Sequence, residues 1–254
     1  MKVIIIAAGR GSRLEHHTDH RPKCMVNIGG ASILDHQRTA LRAHQLHDLH
    51  IIRGYLADQL QVDGATYYTN ETWEENNILH SLFCAREAMD GPFLSTYSDI
   101  IYTPEVVAAA LKMPGDINLI VDRQWARAYQ GRLDHPVEQA ELVEVQGPQV
   151  QRVGKHVGTD QALGEFIGLA SYTARGAEIL RETFAELEAT LSNDEHFRNG
   201  RTFQKAYLAD FFEELIQRGY PLHYVPIDGG WREIDTVEDL KAVNQFWAHA
   251  PVQS

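Results

Sequence analysis

The stretch Val3-Ile4-Ile5-Ile6-Ala7-Ala8-Gly9-Arg10-Gly11-Ser12-Arg13-Leu14, with Lys23 nine residues further on behind Pro22, decides how the chain is read. Its apolar run is short, β-branched and bounded by glycine, which predicts a buried parallel strand. A glycine-rich turn at the carboxyl end of such a strand is where open α/β sheets bind ligands. Gly9 and Gly11 allow the backbone to approach a phosphate, and their N–H groups can point at it. Arg13 adds a forked donor suited to phosphate oxygens, and Lys23 a mobile point charge. Two familiar motifs are absent. A dinucleotide turn needs glycine where Leu14 stands, and no P-loop string occurs. On Gly-x-Gly alone, a turn that needs glycine only for its geometry stays open.

Outward from this stretch the pattern alternates. Residues 25–28 read as an extended segment turned at Gly29-Gly30, and Ser32 caps a helix to about Leu46. Strands are expected at 50–53, 65–69, 92–97 and 117–121. Thr103-Pro104-Glu105 marks a helix start: cap, first-turn proline, acidic residue. Strand and helix in repetition predict an α/β fold, a doubly wound, mainly parallel mixed sheet. Residues 141–145 and 150–153 alternate across Gly147-Pro148, read as a small β-hairpin insertion. Residues 164–169 form a further strand. Helices follow at 174–191 and 202–218, then a strand at 222–226 and a last helix behind a Thr236/Asp239 capping pair. The tail from His249 is expected to fray. One domain is expected over 1–254, with a first half at 1–121 that carries the glycine turn and a second at 122–248.

Composition narrows the classes. A chain of 254 residues, 44% hydrophobic, can bury one good core. Its net charge of −12 argues against nucleic acid as a partner, so positive charge for a nucleotide has to be concentrated locally. No apolar stretch reaches membrane-spanning length. Cys24 and Cys84 form no C-x-x-C pair, which reads as a reduced, cytoplasmic protein, with Cys24 a small buried residue. His16, His17 and His20 have no zinc spacing and read as a polar loop.

Four further places carry polar groups able to do chemistry. Asn76, Asn77 and Ser81 stand at the amino end of a helical pattern. They can bind a base or phosphate, or simply cap the helix, and both readings stay open. Asp99 ends a central strand, a position suited to a ligand or Mg²⁺. Trp125 and Tyr129, among Arg123, Arg127 and Arg132, either hold a cationic or polar acceptor or pack as a surface loop. Asp235 stands just outside the last helix, where it also suits the helix dipole.

The whole string from Ala7 to Leu14, with Arg21-Pro22-Lys23 at its distance, resembles the nucleotidyltransferase superfamily that includes sugar-1-phosphate nucleotidylyltransferases and bacterial choline-phosphate cytidylyltransferases. Asn76-Asn77-Ile78-Leu79-His80-Ser81-Leu82 is similar to the choline-phosphate and phosphonate cytidylyltransferase branch. So is the later order of Trp125, Tyr129, Gly131-Arg132, His135-Pro136, Glu138, Gly154-Lys155 and Gly164-Glu165-Phe166-Ile167-Gly168. The resemblance implies a Rossmann-like nucleotidyltransferase fold and Mg²⁺-dependent transfer of CMP from CTP to a small phosphorylated alcohol or phosphonate, phosphocholine or 2-aminoethylphosphonate in type. It implies Arg13 and Lys23 as catalytic cations. Ala7, Ala8, Gly9, Gly11 and Ser12 would meet the nucleotide, with Asn77 and Ser81 at the base. Asp99 and Asp235 would be metal ligands, and Trp125, Tyr129, Arg132, Lys155 and Glu165 would form the acceptor site. A sugar-1-phosphate or inositol-phosphate nucleotidylyltransferase is the alternative within the class. A non-catalytic nucleotide-binding regulator is the alternative outside it, disfavoured because Arg13, Lys23, Asp99 and Asp235 are all present. A homodimer through the late helices is a further expectation.

Overall fold

The computed structural model describes residues 1–247, so the expected fraying from His249 concerns residues outside that range. The strands, in chain order, are β1 (Lys2–Ala7), β2 (Asn27–Ile28), β3 (Ala31–Ser32), β4 (Leu49–Arg53), β5 (Thr66–Thr69), β6 (Phe93–Tyr97), β7 (Ile100–Tyr102), β8 (Ile117–Asp122), β9 (Leu142–Gln146), β10 (Gln149–Gly154), β11 (Gly164–Tyr172), β12 (Leu222–Ile227) and β13 (Trp231–Glu233). The α-helices are α1 (Ile33–Arg42), α2 (Ile78–Phe83), α3 (Pro104–Ala110), α4 (Ala174–Thr190), α5 (Leu208–Gln217) and α6 (Val237–Trp247). No described helix is long and apolar enough to cross a membrane.

Nine strands form one sheet in the order β5-β4-β1-β6-β11-β8-β12-β10-β9. β11 and β10 run against the other seven strands, so the sheet is mixed and mainly parallel in direction. β1 shows why it is doubly wound. Val3 and Ile5 join a buried cluster with Leu34 and Leu41 of α1 and Val106 and Val107 of α3. Ile4 and Ile6 point the other way, into a cluster with Leu79 of α2, Leu180 of α4 and Phe211 of α5. A strand buried on both faces needs the unbroken apolar run seen in the sequence. Apolar residues of α4 and α5, Ile179, Phe184, Phe212 and Leu215 among them, are buried in this same core.

Two expectations change. The hairpin at Gly147-Pro148 forms as β9–β10, but it is built into the sheet, not inserted beside it: β10 pairs with β12 and β9 also pairs with β11. The helix expected over 202–218 begins only at Leu208. Backbone N–H groups of Phe203 and Gln204 are drawn to the carbonyls of Glu195 and Asn193, and Asp210 caps the late start by accepting from Tyr207 N at 2.8 Å.

Two small features position the site. β13 pairs antiparallel with β7, and Ile234 N donates to Asp99 O at 2.8 Å. A separate apolar cluster ties Leu14, Val26, Ile28 and Ile33 to Ile101 and to Ile234, Leu240 and Val243. This cluster holds the segment after the glycine turn against α6, with Lys23 between them.

Candidate active site

β1 has β4 on one side and β6 on the other, so the sheet changes winding direction between β1 and β6. Ligands bind at such switch points, outside the carboxyl ends of the strands. A cleft of about 410 Å³ opens there, with Ala8, Gly9, Gly11 and Arg13 on one side and Ser98 and Asp99 on the other.

Lys23 lies at its base. Its Nζ donates to Asp99 Oδ2 and to Asp235 Oδ1, each at 2.7 Å, across 76 and 212 residues of sequence. Burial alone opposes the lysine's charge, but the two carboxylates outweigh it and hold its pKa well above the ordinary value. Asp235 is also ion-paired with Arg13, and His135 Nδ1 lies 3.2 Å from its Oδ2. Burial works to raise the Asp235 pKa; Lys23, His135 and Arg13 overcome it and hold the carboxyl far below the usual range. Gly11 explains the glycine requirement. It sits at φ +66°, and a Cβ there would lie 2.6 Å from Lys23 Cδ.

The two carboxylates suit a divalent cation. They meet at a single point, marked by Lys23 Nζ, and they offer hard oxygen donors. Asp99 Oδ1 is buried without a hydrogen-bond partner, a group ready for a further ligand.

The nucleotide-side asparagines divide their roles. Asn77 is the N-cap of α2: its Oδ1 accepts from Ile78 N at 2.8 Å and its Nδ2 donates to Lys205 O at 3.3 Å. Asn76 is bound to Asn70 in both directions. Asn70, which the sequence reading passed over, is 2% exposed and donates to Ser81 Oγ at 2.9 Å. That contact occupies an acceptor lone pair of Ser81 and leaves its O–H to donate to a ligand. The available signal was Asn70 at a strand end with Thr72 two residues on, an Asx-turn pattern.

The acceptor-side residues separate. Lys155 and Glu165 line the cleft, whereas Trp125, Tyr129 and Arg132 do not, and on the nucleotide side Ala7 does not either. Ala7 alternates to the α1/α3 side of the sheet. Trp125 is buried in a satellite cluster with Ala140, Leu142 and Val157, so the pair expected to cage a cation packs as part of the loop. Tyr129 faces Glu165 through its hydroxyl at 2.5 Å. Arg132 is committed to Asp239 and Glu233. In their place the cleft gains Tyr97, His135, Glu141, Tyr207 and Glu233. Lys155 donates to Gln139 Oε1 at 2.8 Å and lies 4.9 Å from the Tyr207 ring centre.

Burial pushes the Glu141 carboxyl up to about 7, against Lys155 and a hydrogen bond from Tyr97. It pushes Glu165 up to about 8, against the hydrogen bond from Tyr129. Both folded values exceed the unfolded glutamate value of about 4.3. At these two groups the native state holds more protons than the unfolded state from about pH 4.3 up to their folded values, and their contribution to stability falls as pH rises through that window. Glu165→Gln mimics the protonated side chain. Thermal melts are expected to match wild type near pH 5 and to exceed it near pH 8.5, by several degrees for a gain of roughly 2–3 kcal/mol. Equal melting curves at both pH values would show that Glu165 is charged in the fold.

A glycine turn at the switch point of the sheet, leading to a buried lysine held between two carboxylates, suits a nucleotidyltransferase, and the chain is an enzyme of that class. It belongs to the MobA-like NTP transferase domain family, which matches residues 3–145, more than half of the chain. Among curated relatives, the CTP:phosphoglutamine cytidylyltransferase of Campylobacter jejuni is 29% identical over 253 residues, covering 95% of this chain and 98% of its own. The choline-phosphate cytidylyltransferase of Streptococcus pneumoniae is 30% identical over 98 residues, 37% of this chain and 43% of its own. Among solved structures, the inositol-1-phosphate CTP transferase from T. maritima superposes with a TM-score of 0.73 at 19% identity, covering 97% of this chain and 94% of its own. The CTP:phosphocholine cytidylyltransferase from S. pneumoniae does so with 0.72 at 20% identity, covering 96% and 98%.

Proposed function

We propose that the protein transfers CMP from CTP to a small phosphorylated alcohol or phosphonate, releasing pyrophosphate, with Mg²⁺ as the metal. The observation that carries this is the meeting of Asp99 and Asp235 on Lys23 directly below the glycine turn. The cytidylyltransferase relatives and the Asn76–Leu82 stretch motivate CTP. Residues 1–121 hold the nucleotide. Glu141, Lys155 and Glu165, from 122–248, hold the acceptor.

The acceptor oxygen that attacks the α-phosphorus is already anionic, so no general base is required. What remains is to position two anions and to neutralise charge. Gly9 and Gly11 admit the phosphates to the backbone, and Ser81 donates toward the base. Arg13, half exposed at the rim, holds the departing β,γ-phosphates. Lys23 places its charge at the α-phosphate. Asp99 and Asp235 would hold Mg²⁺, which would supply further charge neutralisation at the phosphates.

The test is pyrophosphate release with Mg²⁺ across CTP, UTP and dTTP, with phosphocholine, phosphoethanolamine, 2-aminoethylphosphonate, inositol phosphate and glucose-1-phosphate as acceptors. CTP is expected to lead with an amine-bearing acceptor. Turnover only with UTP or dTTP and a sugar phosphate would move the protein to the sugar-nucleotide branch.

A further inference from the structure

The resemblance places Arg132 with the acceptor, but the structure buries it outside the cleft, with 9% of its side chain exposed. Its guanidinium grips Asp239 as a fork: Nε donates to Oδ1 at 2.6 Å and Nη2 to Oδ2 at 2.8 Å. Nη2 also donates to Glu233 Oε2 at 3.0 Å. These two carboxylates stand on either side of Asp235 in the chain, one at the end of β13 and one in the first turn of α6. Asp239 carries the grip to the backbone. Its Oδ2 accepts from Asp235 N at 3.0 Å and from Thr236 N at 2.8 Å. The main chain that bears the Asp235 carboxylate is thus fixed by an oxygen that Arg132 fixes in turn.

We infer that Arg132 is a positioning residue for the metal site: through Asp239 and Glu233 it sets the backbone of Asp235, and so the direction from which that carboxylate meets Asp99. This rests on the reading of Asp99 and Asp235 as the metal ligands. Asp235 needs such direction, because its Oδ1 faces Lys23 while its Oδ2 faces Arg13 and His135, and a small rotation would exchange these partners. Two arguments favour position over stability. A buried ion pair gains little over a well-packed apolar replacement, since desolvation offsets the attraction. The loop that carries Arg132 is also fastened to α6 without it: Leu133 N and Asp134 N both donate to Glu238 Oε2, at 2.8 and 2.9 Å. What the fork adds is orientation. A guanidinium donates along two fixed, parallel lines, so it sets the angle of a carboxylate as well as its place. Groups that orient a metal ligand from behind are felt in metal affinity, on the order of 10–100-fold.

The experiment measures Mn²⁺ binding to the free enzyme by electron paramagnetic resonance, with Mn²⁺ standing in for Mg²⁺, beside thermal melts and steady-state pyrophosphate release. Arg132→Lys keeps the charge and loses the fork. It is expected to bind Mn²⁺ about 10-fold or more weakly than wild type and to need correspondingly more Mg²⁺ for turnover. The KM of whichever panel acceptor wild type turns over, taken at saturating Mg²⁺, is expected to stay unchanged. Asp239→Asn keeps the shape of the cap and removes the charge that Arg132 grips, and it is expected to shift Mn²⁺ affinity in the same direction. The double variant is expected to lose no more than the worse single one, because the two residues act as a unit. Unaltered Mn²⁺ affinity in both single variants, with or without a lower melting temperature, makes the pair structural and overturns the inference. A raised acceptor KM with unaltered Mn²⁺ affinity assigns Arg132 to the acceptor and overturns it as well. Wild-type Mn²⁺ affinity in Asp235→Asn overturns the metal reading on which the inference stands.

Discussion

Lys23→Ala is expected to reduce turnover by about 10³-fold, the scale of removing one preorganised cation from a site of developing negative charge. It is also expected to lower stability, because the side chain does two jobs. Lys23 is 7% exposed and is the cation shared by Asp99 and Asp235. Its removal leaves two carboxylates facing each other across the space it filled. Breaking a buried pair from one side costs about 3–5 kcal/mol, a fall in melting temperature of roughly 10 °C for a domain of this size. Arg13 and His135 still face Asp235 and moderate the loss. Adding Mg²⁺ is expected to restore part of the melting temperature without restoring turnover. The checks are steady-state pyrophosphate release and thermal melts with and without Mg²⁺. Wild-type turnover in the variant would remove Lys23 from the mechanism. A stability loss that Mg²⁺ leaves untouched would remove Asp99 and Asp235 as its ligands.

Asp235→Asn is expected to lose about 10²–10³-fold in activity, as one of two carboxylates offered to the metal becomes a neutral amide. The side chain keeps its shape, so the fold is expected to hold. What changes is charge: Lys23 keeps one carboxylate, Asp99, where it had two, and Arg13 loses its carboxylate partner. The apparent Mg²⁺ requirement is expected to rise well above that of wild type, visible as a right-shifted activity titration. An unchanged Mg²⁺ titration would assign Asp235 to holding Lys23 and Arg13 in place, with the metal elsewhere.

The parts of the site legible in the sequence are those that are local. β1 announces itself because a strand buried on both faces must be continuously apolar, and its turn because Gly11 occupies a left-handed φ of 66° against Lys23. Ser32 and the Thr236/Asp239 pair mark helix starts, since each cap lies within a few residues of the N–H groups it serves, and Thr103-Pro104 marks one because a first-turn proline has no N–H to satisfy. Asp99 could be placed at a strand end for the same reason.

The acceptor wall was not legible in this way. Glu165, at the start of β11, was reached only through the family resemblance, while Glu141 and Glu233 come from a strand approach and the end of β13, and nothing local distinguishes them from solvated glutamates. Trp125 and Tyr129 looked like a cage because aromatic residues near arginines have that composition. Their direction depends on Ala140, Leu142 and Val157, against which they pack. Asn77 caps α2 and also lines the cleft, while the buried Asn70 arranges Ser81 from the preceding strand end.

Local pattern, then, was enough for the class of fold, the glycine turn and the cations beside it, because strand burial, turn geometry and capping act over a handful of residues. The meeting of Lys23 with Asp99 and Asp235 depended on the β7–β13 ladder and on the apolar cluster that binds the turn segment to α6. The grip of Arg132 on Asp239 depended likewise on where its loop came to rest against α6. Both are consequences of long-range packing, in which a side chain's partner is set by the neighbouring strand or helix and not by its neighbours along the chain.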